Sequence, residues 1–486
     1  MNALPGASSA PVRSRFTSLE RGWILYDWAN SVYATIMMAA VFSAFFTGLV
    51  DDPRGGDYWW SIGTTISVLV VAVMAPVAGA FADYKGYKKK LFGAFLAVGL
   101  VFTGLCAVTD NWRFLLVGYI LSHIGFSGSC LIYDSFLPDV TTPERMDRVS
   151  GWGFAMGYIG GSTIPFLASI ALIQFGPSLG LGTAAAVKLS VLLTVVWWGL
   201  FSIPFLRNVK QVGYVEKPQS GVLRATFGGI AQTARKILAD KGLLLFIIAY
   251  FFYIDGVGTI ISLATSYGAQ LGLGMVGMIL ALLVTQIVAF PFSILFSRFA
   301  RKVGSLNMLT IAVVIYTVIC VVGFFMGFLI ERAEIPVKLD ALAEQGAAIA
   351  RTSNLTVINQ ALIDAGIPDS AWNAQPIYTS AVASSTILFW VLAAMVGTVQ
   401  GGIQALSRSY FGKLTPQQRA GEYFGFFEIF GKFAAIVGPL LYALTKGITG
   451  RSSYSILSLI LLFGIALAVM AASRRHATQT SEASSQ

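Results

Sequence analysis

Twelve runs of predominantly apolar residues, each long enough to cross a bilayer, constrain this chain more than any other feature. A hydrocarbon core of ~30 Å needs about 20 such residues per helix. The runs fall near 22–49, 58–82, 91–109, 112–138, 150–175, 181–206, 243–268, 274–297, 306–330, 380–406, 422–446 and 453–472. A chain that is 56% hydrophobic and only 12% charged cannot distribute these runs among soluble domains. The expectation is an all-α polytopic membrane protein embedded in lipid. Because the first run follows a polar tail and exceeds a signal peptide's apolar region, it is read as a retained span.

The net charge of +10 resolves on mapping. Arg13, Arg15 and Arg21 precede the first run, and Lys85, Lys88, Lys89 and Lys90 follow the second. Arg145, Arg148, Arg298, Arg301, Lys302, Lys413, Arg419, Arg474 and Arg475 fall on the same side if the spans alternate, as does the basic stretch between runs six and seven. The opposite side holds few basic residues, among them Arg54, Arg113, Arg332, Lys338, Arg351 and Arg451. Positive charge flanks the cytoplasmic ends of membrane helices, so both termini are expected in the cytoplasm and no nucleic-acid partner is implied. Cys106, Cys130 and Cys320 all lie within spans as packing residues, with no disulfide or zinc spacing.

The chain divides into an N-terminal tail and six-span bundle (1–206), a linker (207–242), a second bundle (243–473) and a tail (474–486). An external loop at about 331–378 interrupts the second bundle, and a short helix against the outer mouth is expected there. The halves echo each other. DSFLPDVTTPERMDRVSGWGFAMGYIGGSTIP (Asp134–Pro165) aligns with RSYFGKLTPQQRAGEYFGFFEIFGKFAAIVGP (Arg408–Pro439) at one constant offset. That offset pairs Ser135 with Ser409, Thr141 with Thr415, Gly151 with Gly425, Gly157 with Gly431 and Pro165 with Pro439. Internal repeats of this kind mark secondary transporters, which rock two pseudo-symmetric six-helix bundles about a central site.

Spans 3, 6, 9 and 12 carry almost nothing polar beyond Ser and Thr, whereas spans 1, 4, 7 and 10 carry ionisable and amide groups. Lipid-facing helices can be apolar all round, but a wet cavity needs polar faces. Helical spacing gathers His123, Ser127, Cys130 and Asp134 on span 4. It likewise gathers Asp255, Thr259, Ser262 and Ser266 on span 7, and Gln400, Gln404 and Arg408 on span 10. In span 1, Asp27 is followed by Asn30 and Ser31. Four stripes predict one cavity, with Asp27, Asn30, His123, Ser127, Asp255, Thr259, Gln400, Gln404, Glu428 and Lys432 as candidates for substrate or proton binding. Glu428 and Lys432 sit four residues apart, which also suits a self-neutralised pair. Asp134 and Arg408 occupy equivalent repeat positions and are expected to pair across the halves as a cytoplasmic gate. Asp255 opposite Lys432 or Arg408 would suit a small zwitterion. Proton coupling through Asp255 or Asp27 is a further option.

After span 2 comes GAFADYKGYKKK, Gly79 to Lys90. It resembles the signature loop of the major facilitator superfamily through Gly79, Asp83, Gly86, Lys88 and Lys89, with Tyr84 where a basic residue is frequent. The resemblance implies that Asp83 latches the cytoplasmic side against the other half. YDWANSVYAT, YDSFLPD, RVSGWGFAMGYIGG and YIDGVGT together resemble the vacuolar effluxer family linked to autophagy, with its bacterial relatives. That resemblance implies export of small solutes, amino acids in the fungal members; separately, no Walker phosphate loop or GxSxG elbow is present, so neither enzymatic activity nor a cofactor is expected.

GLGMVG (Gly272 to Gly277) spells a dinucleotide fingerprint but follows no strand. With His123 the only intramembrane histidine, no metal site is expected. The expectation is a monomeric carrier of a small polar solute in the bacterial plasma membrane. Multidrug efflux, with Tyr26, Trp28, Met37, Met38 and Tyr253 as apolar lining, is the rival within transport. A non-transporting nutrient receptor or membrane enzyme is the rival outside it.

Overall fold

The computed structural model describes residues 15–218, 221–270, 274–346 and 352–483. Twelve long helices dominate them. In chain order they are α1 (Ser18–Leu49), α2 (Gly56–Ala82), α3 (Lys88–Leu105), α4 (Trp112–Ser135), α5 (Pro143–Leu179) and α6 (Thr183–Asn208). The second half contributes α7 (Lys241–Gln270), α8 (Gly274–Val303), α9 (Ser305–Glu344), α10 (Pro376–Leu414), α11 (Gln417–Thr449) and α12 (Ser452–Arg474). Eleven contain stretches long and apolar enough to span a membrane. The twelfth, α3, opens on three lysines before its apolar run.

Sequence decides which helices face lipid. Leu189, Leu192, Val196 and Leu200 of α6 are exposed at spacings of three and four. Ile311, Val314, Val318 and Phe325 of α9 are likewise exposed, at spacings of three, four and seven. Charge in α6 is confined to Lys188 and Arg207 near its ends, α9 carries none before Glu331, and exposed aliphatic stripes on them suit acyl chains.

Four helices are interrupted, α12 only by a turn at Leu459. Helix α1 passes through a π-helical stretch at Ala34–Ala40 and α5 through another at Gly157–Thr163. Helix α11 breaks between Phe433 and Val437. At the repeat offset, the α5 stretch and the α11 break are equivalent positions. Each is followed by a proline, Pro165 or Pro439, which lacks the N–H that would extend the preceding turn.

The break divides the contacts between halves. The Pro143–Met156 portion of α5 packs on α8 and α10, and the Ala420–Phe433 portion of α11 packs on α2 and α4. Beyond the interruptions, Ile164–Phe175 and Val437–Thr449 pack chiefly within their own halves. The halves therefore meet at the end carrying the basic loops, called the basic end below, and part toward the other.

Two segments differ from expectation. The external loop is largely helical: α9 continues through Pro336 to Glu344, and Asn354 caps a further helix, Leu355–Asp364. Val337, Ala341, Leu342, Ile358, Leu362 and Trp372 form a small apolar core of their own, which gives the segment a reason to fold. The linker between halves contains an unanticipated helix, Val222–Ala239. Its apolar residues recur at helical spacing, and it buries Thr226, Thr233 and Ile237.

Candidate functional site

Arg408, near the C-terminal end of α10, is the hub of the basic end. Its Nη2 donates to Asp27 Oδ2 on α1 at 2.8 Å, and its Nη1 donates to Asp134 Oδ1 on α4 at 3.0 Å. Its Nε donates to Ser150 Oγ on α5 at 2.9 Å, and Nη2 also reaches the Ser150 carbonyl at 3.2 Å. The guanidinium lies over the Trp23 and Phe154 rings at 4.5 and 4.3 Å. One side chain of the second half is thus gripped by three helices of the first. Gly153 makes room for this, because a Cβ there would stand 2.2 Å from Asp27 Oδ2.

Above this floor lies a cavity of about 480 Å³ between the halves. Asp27, Asn30 and Thr35 of α1 form one wall, and Gln286 of α8 with Gln400 and Gln404 of α10 form the facing one. Cys130 and Asp134 complete it from α4, and Tyr158 and Ser162 from α5. Both π-helical stretches contribute to the lining, a common placement for such interruptions. Gln286 Oε1 is buried without a hydrogen-bond partner, so the amide remains available to a ligand. An apolar cavity of about 160 Å³ inside the second half adjoins it and shares Gln286 and Gln400.

Asp27, Asn30, Gln400 and Gln404 therefore line the cavity, and Asp134 and Arg408 pair beneath it. Other candidates stand elsewhere. His123 and Ser127 are buried but do not line the cavity, because α4 turns Phe126, Cys130 and Tyr133 toward it instead. His123 lies beside the Tyr119 and Phe126 rings. Asp255 and Thr259 face the break in α11, where Asp255 Oδ2 accepts the Gly438 N–H at 2.7 Å. Lys432 pairs with Glu428 at 3.3 Å and Arg408 with Asp27 and Asp134, so neither cation supplies the opposite charge expected for Asp255. None of the residues proposed as a drug-binding wall lines the cavity. Tyr26 OH donates to Ser129 Oγ, Trp28 stacks on Trp197, Met37 is buried and Tyr253 OH is hydrogen-bonded to Ser407 Oγ. Met38 lies outside the lining as well. The side chain of Ser266 and residues 271–273 of the GLGMVG segment lie outside the described residues.

Two further ties close the basic end. Gly86, at φ +75°, turns the signature loop so that Asp83 meets the start of α11. Its carboxylate accepts the Gly421 N–H at 2.7 Å and the Glu422 N–H at 2.8 Å. Burial pushes the Asp83 carboxyl up to about 7, against the downward pull of Lys88 and the two N–H donors. Gly79 allows this approach, since a Cβ would fall 2.0 Å from the Gly421 carbonyl oxygen. Lys88 forms a fully buried pair with Asp139 at 2.9 Å, and Lys89 donates to the Val209 carbonyl.

On the other seam, Asp147 of α5 accepts from Ser409 Oγ at 2.7 Å, Lys413 Nζ at 2.6 Å and Ser305 Oγ at 2.9 Å. Sequence reasoning missed Asp147 and Gln286. The available signal for Asp147 was an acid within the repeated segment itself, whereas Gln286 is a lone amide in an apolar run. The linker adds a clasp. Val215 pairs with the backbone of the signature loop, and Tyr84 OH shares a hydrogen bond with Thr226 Oγ1 at 3.0 Å. The departure from a basic residue at position 84 thus gives the linker helix a docking point.

Two six-helix halves around a polar chamber, locked at one end by ion pairs between them, define a membrane transporter of the major facilitator fold. Solved structures agree. The outward conformation of the major facilitator FucP superposes with a TM-score of 0.61 at 12% identity, covering 94% of this chain and 97% of that one. A bacterial homologue of the iron transporter ferroportin gives 0.57 at 13% identity, covering 94% of this chain and 98% of that one. The family model described as "Vacuole effluxer Atg22 like" matches residues 61–341 and 381–481, and the chain belongs to that family. It is 40% identical to the uncharacterized MFS-type transporter YxiO of Bacillus subtilis (strain 168) over 94% of this chain and 95% of YxiO. It is 21% identical to autophagy-related protein 22 of Eremothecium gossypii over 84% of this chain and 74% of that protein. It is therefore an integral membrane transporter of a small molecule, with the fold and family of carriers rather than enzymes.

Proposed function

We propose that the protein exports a small polar solute bearing an ammonium group, with amino acids the first class to test. It works by alternating access across the bacterial plasma membrane, with both termini in the cytoplasm. The basic end is then the inner gate. One observation carries this reading: Arg408 bridges Asp27 and Asp134 directly beneath a chamber lined by amides.

For the inner gate to open, Arg408 must leave two carboxylates, Asp27 buried and Asp134 half-buried. Removing one member of a buried charge pair costs about 3–5 kcal/mol. A cation that arrives as Arg408 leaves offsets that penalty. A solute ammonium at Asp27 or Asp134 fits the requirement, and so does a proton on either carboxylate, which is how coupling would enter. A solute carboxylate would meet the released guanidinium, while Asn30, Gln286, Gln400 and Gln404 supply neutral hydrogen bonds. The effluxer name of the family supports the outward direction.

The test is flux in proteoliposomes loaded with labelled amino acids, with and without a pH gradient. Saturable exchange that is accelerated by the gradient and lost in Arg408→Ala supports the proposal. Amino-acid flux equal to that of empty liposomes, alongside transport of bulky apolar cations, would return the reading to drug efflux.

A further inference from the structure

The break in α11 creates a second polar site, separate from the central cavity. Pro439 has no N–H to donate to the Ala435 carbonyl, and the Gly438 N–H is turned to Asp255 Oδ2 rather than to the Ala434 carbonyl. The other carboxylate oxygen, Asp255 Oδ1, is buried with no hydrogen-bond partner, and so is Thr259 Oγ1 one turn along α7. Asp255 is 1% exposed and Thr259 2%. Both oxygens converge on the space beside Gly438. A Cβ at that position would stand 2.2 Å from Thr259 Oγ1 and 2.8 Å from Asp255 Oδ1. Only glycine at 438 leaves this cradle, an unpaired carboxylate oxygen beside an unpaired hydroxyl, clear of a side-chain atom.

We infer that this cradle binds a monovalent metal cation of sodium size, held by Asp255 and Thr259 where α11 is broken. A buried carboxylate with no positive side chain beside it is expensive, and a single added positive charge balances it. A divalent ion would leave one positive charge unbalanced. The distances fit as well: calcium binds oxygen at ~2.3–2.6 Å, and sodium is of similar size with half the charge. Broken helices serve ions in other transporter folds because the interruption releases carbonyls toward the metal. Here the break deprives the Ala434 and Ala435 carbonyls of their usual donors at residues 438 and 439, and water would complete the shell. Such an ion ties α7 to the Val437–Thr449 portion of α11, on the side of the break where the halves part. The inference does not depend on which solute occupies the central cavity.

The experiment uses the purified full-length protein in detergent. Saturable binding of radioactive sodium to the wild-type chain is expected, competed by lithium more than by potassium and not by choline. Sodium should also raise the thermal unfolding midpoint relative to choline at equal ionic strength. Gly438→Ala keeps both oxygens but fills the cradle, and Thr259→Val removes one neutral oxygen. Each should weaken sodium binding at least tenfold, as should Asp255→Asn. Absence of saturable sodium binding by the wild type would overturn the inference without any variant needing to fold. Binding that survives Asp255→Asn unchanged would overturn it too. So would a midpoint that responds to pH but not to sodium, which would identify the occupant of Asp255 as a proton.

Discussion

At the basic end the two halves interlock through charge, whereas toward the opposite end they part. Arg408 with Asp27 and Asp134, Asp83 with the start of α11, and Asp147 with Ser409, Lys413 and Ser305 all cross between halves at the basic end. The charged cluster toward the other end, Glu331 with Arg451 and Ser453, lies wholly within the second half. A carrier that alternates must be able to undo whichever seal is made. Ion pairs and N–H caps suit this need, because water and solute can replace each of their partners. A seal of packed aromatics offers no such exchange.

The largest expected effect comes from the hub of that seal. Arg408→Ala leaves Asp27 and Asp134 facing each other without a cation, a loss of about 3–5 kcal/mol to the closed basic end. Flux in proteoliposomes should fall by about 100-fold or more. Exchanging the charges in Asp134→Arg with Arg408→Asp should recover part of that loss. A double variant no better than the singles would remove the pair from the gate.

The signature loop comes next. Asp83→Ala strands the Gly421 and Glu422 N–H groups, each worth ~1–3 kcal/mol when buried and unpaired. Cys130 lines the cavity whereas Cys106 and Cys320 are buried, so the native thiol reports access. Impermeant maleimide applied from the basic side should label Cys130 at least several-fold faster in Asp83→Ala. Equal rates would mean that the latch carries no closing energy.

Acidity should tune the same latch more gently. The Asp83 carboxyl sits at about 7 when closed and returns to the ordinary carboxylate range once released. The closed state therefore holds the proton more tightly. Its advantage is complete at low pH and fades as pH rises through 7. Cys130 labelling from the basic side should increase between pH 6 and pH 8, and Asp83→Asn should flatten that rise. The smallest effect belongs to the linker clasp. Tyr84→Phe deletes one hydrogen bond to Thr226, worth about 0.5–1.5 kcal/mol, and should raise labelling slightly without reducing maximal flux.

The comparison also shows what could be read from sequence. Hydrophobic runs and the Asp134–Pro165 repeat announced twelve helices in two halves, because both signals are local in the chain. Asp134 and Arg408 were found as repeat equivalents and Asp83 through its motif. The stripes were less reliable. Spacing places His123 and Asp134 on one helical face, but it cannot fix how far that face turns along α4, and Phe126 occupies the intervening position. Asp255 was recognised as a mid-span carboxylate, yet its partner is a backbone N–H made available by a helix break. The repeated proline marked that break, but its partner could be known only once α7 and α11 were packed. Asp147 was hidden because its partners lie on α9 and α10, far along the chain.

Spin-label distances across both ends report whether the two ends exchange between closed and open. One pair, at Glu144 and Lys302, spans the seam between α5 and α8 at the basic end. The other, at Ser178 and Ile448, spans the parted end. A short, narrow distribution is expected for the first pair and a long one for the second in the wild type, exchanging together in Arg408→Ala. If the basic-end pair lengthens while the other stays unchanged, the two seals are not coupled, and alternating access about this chamber is contradicted.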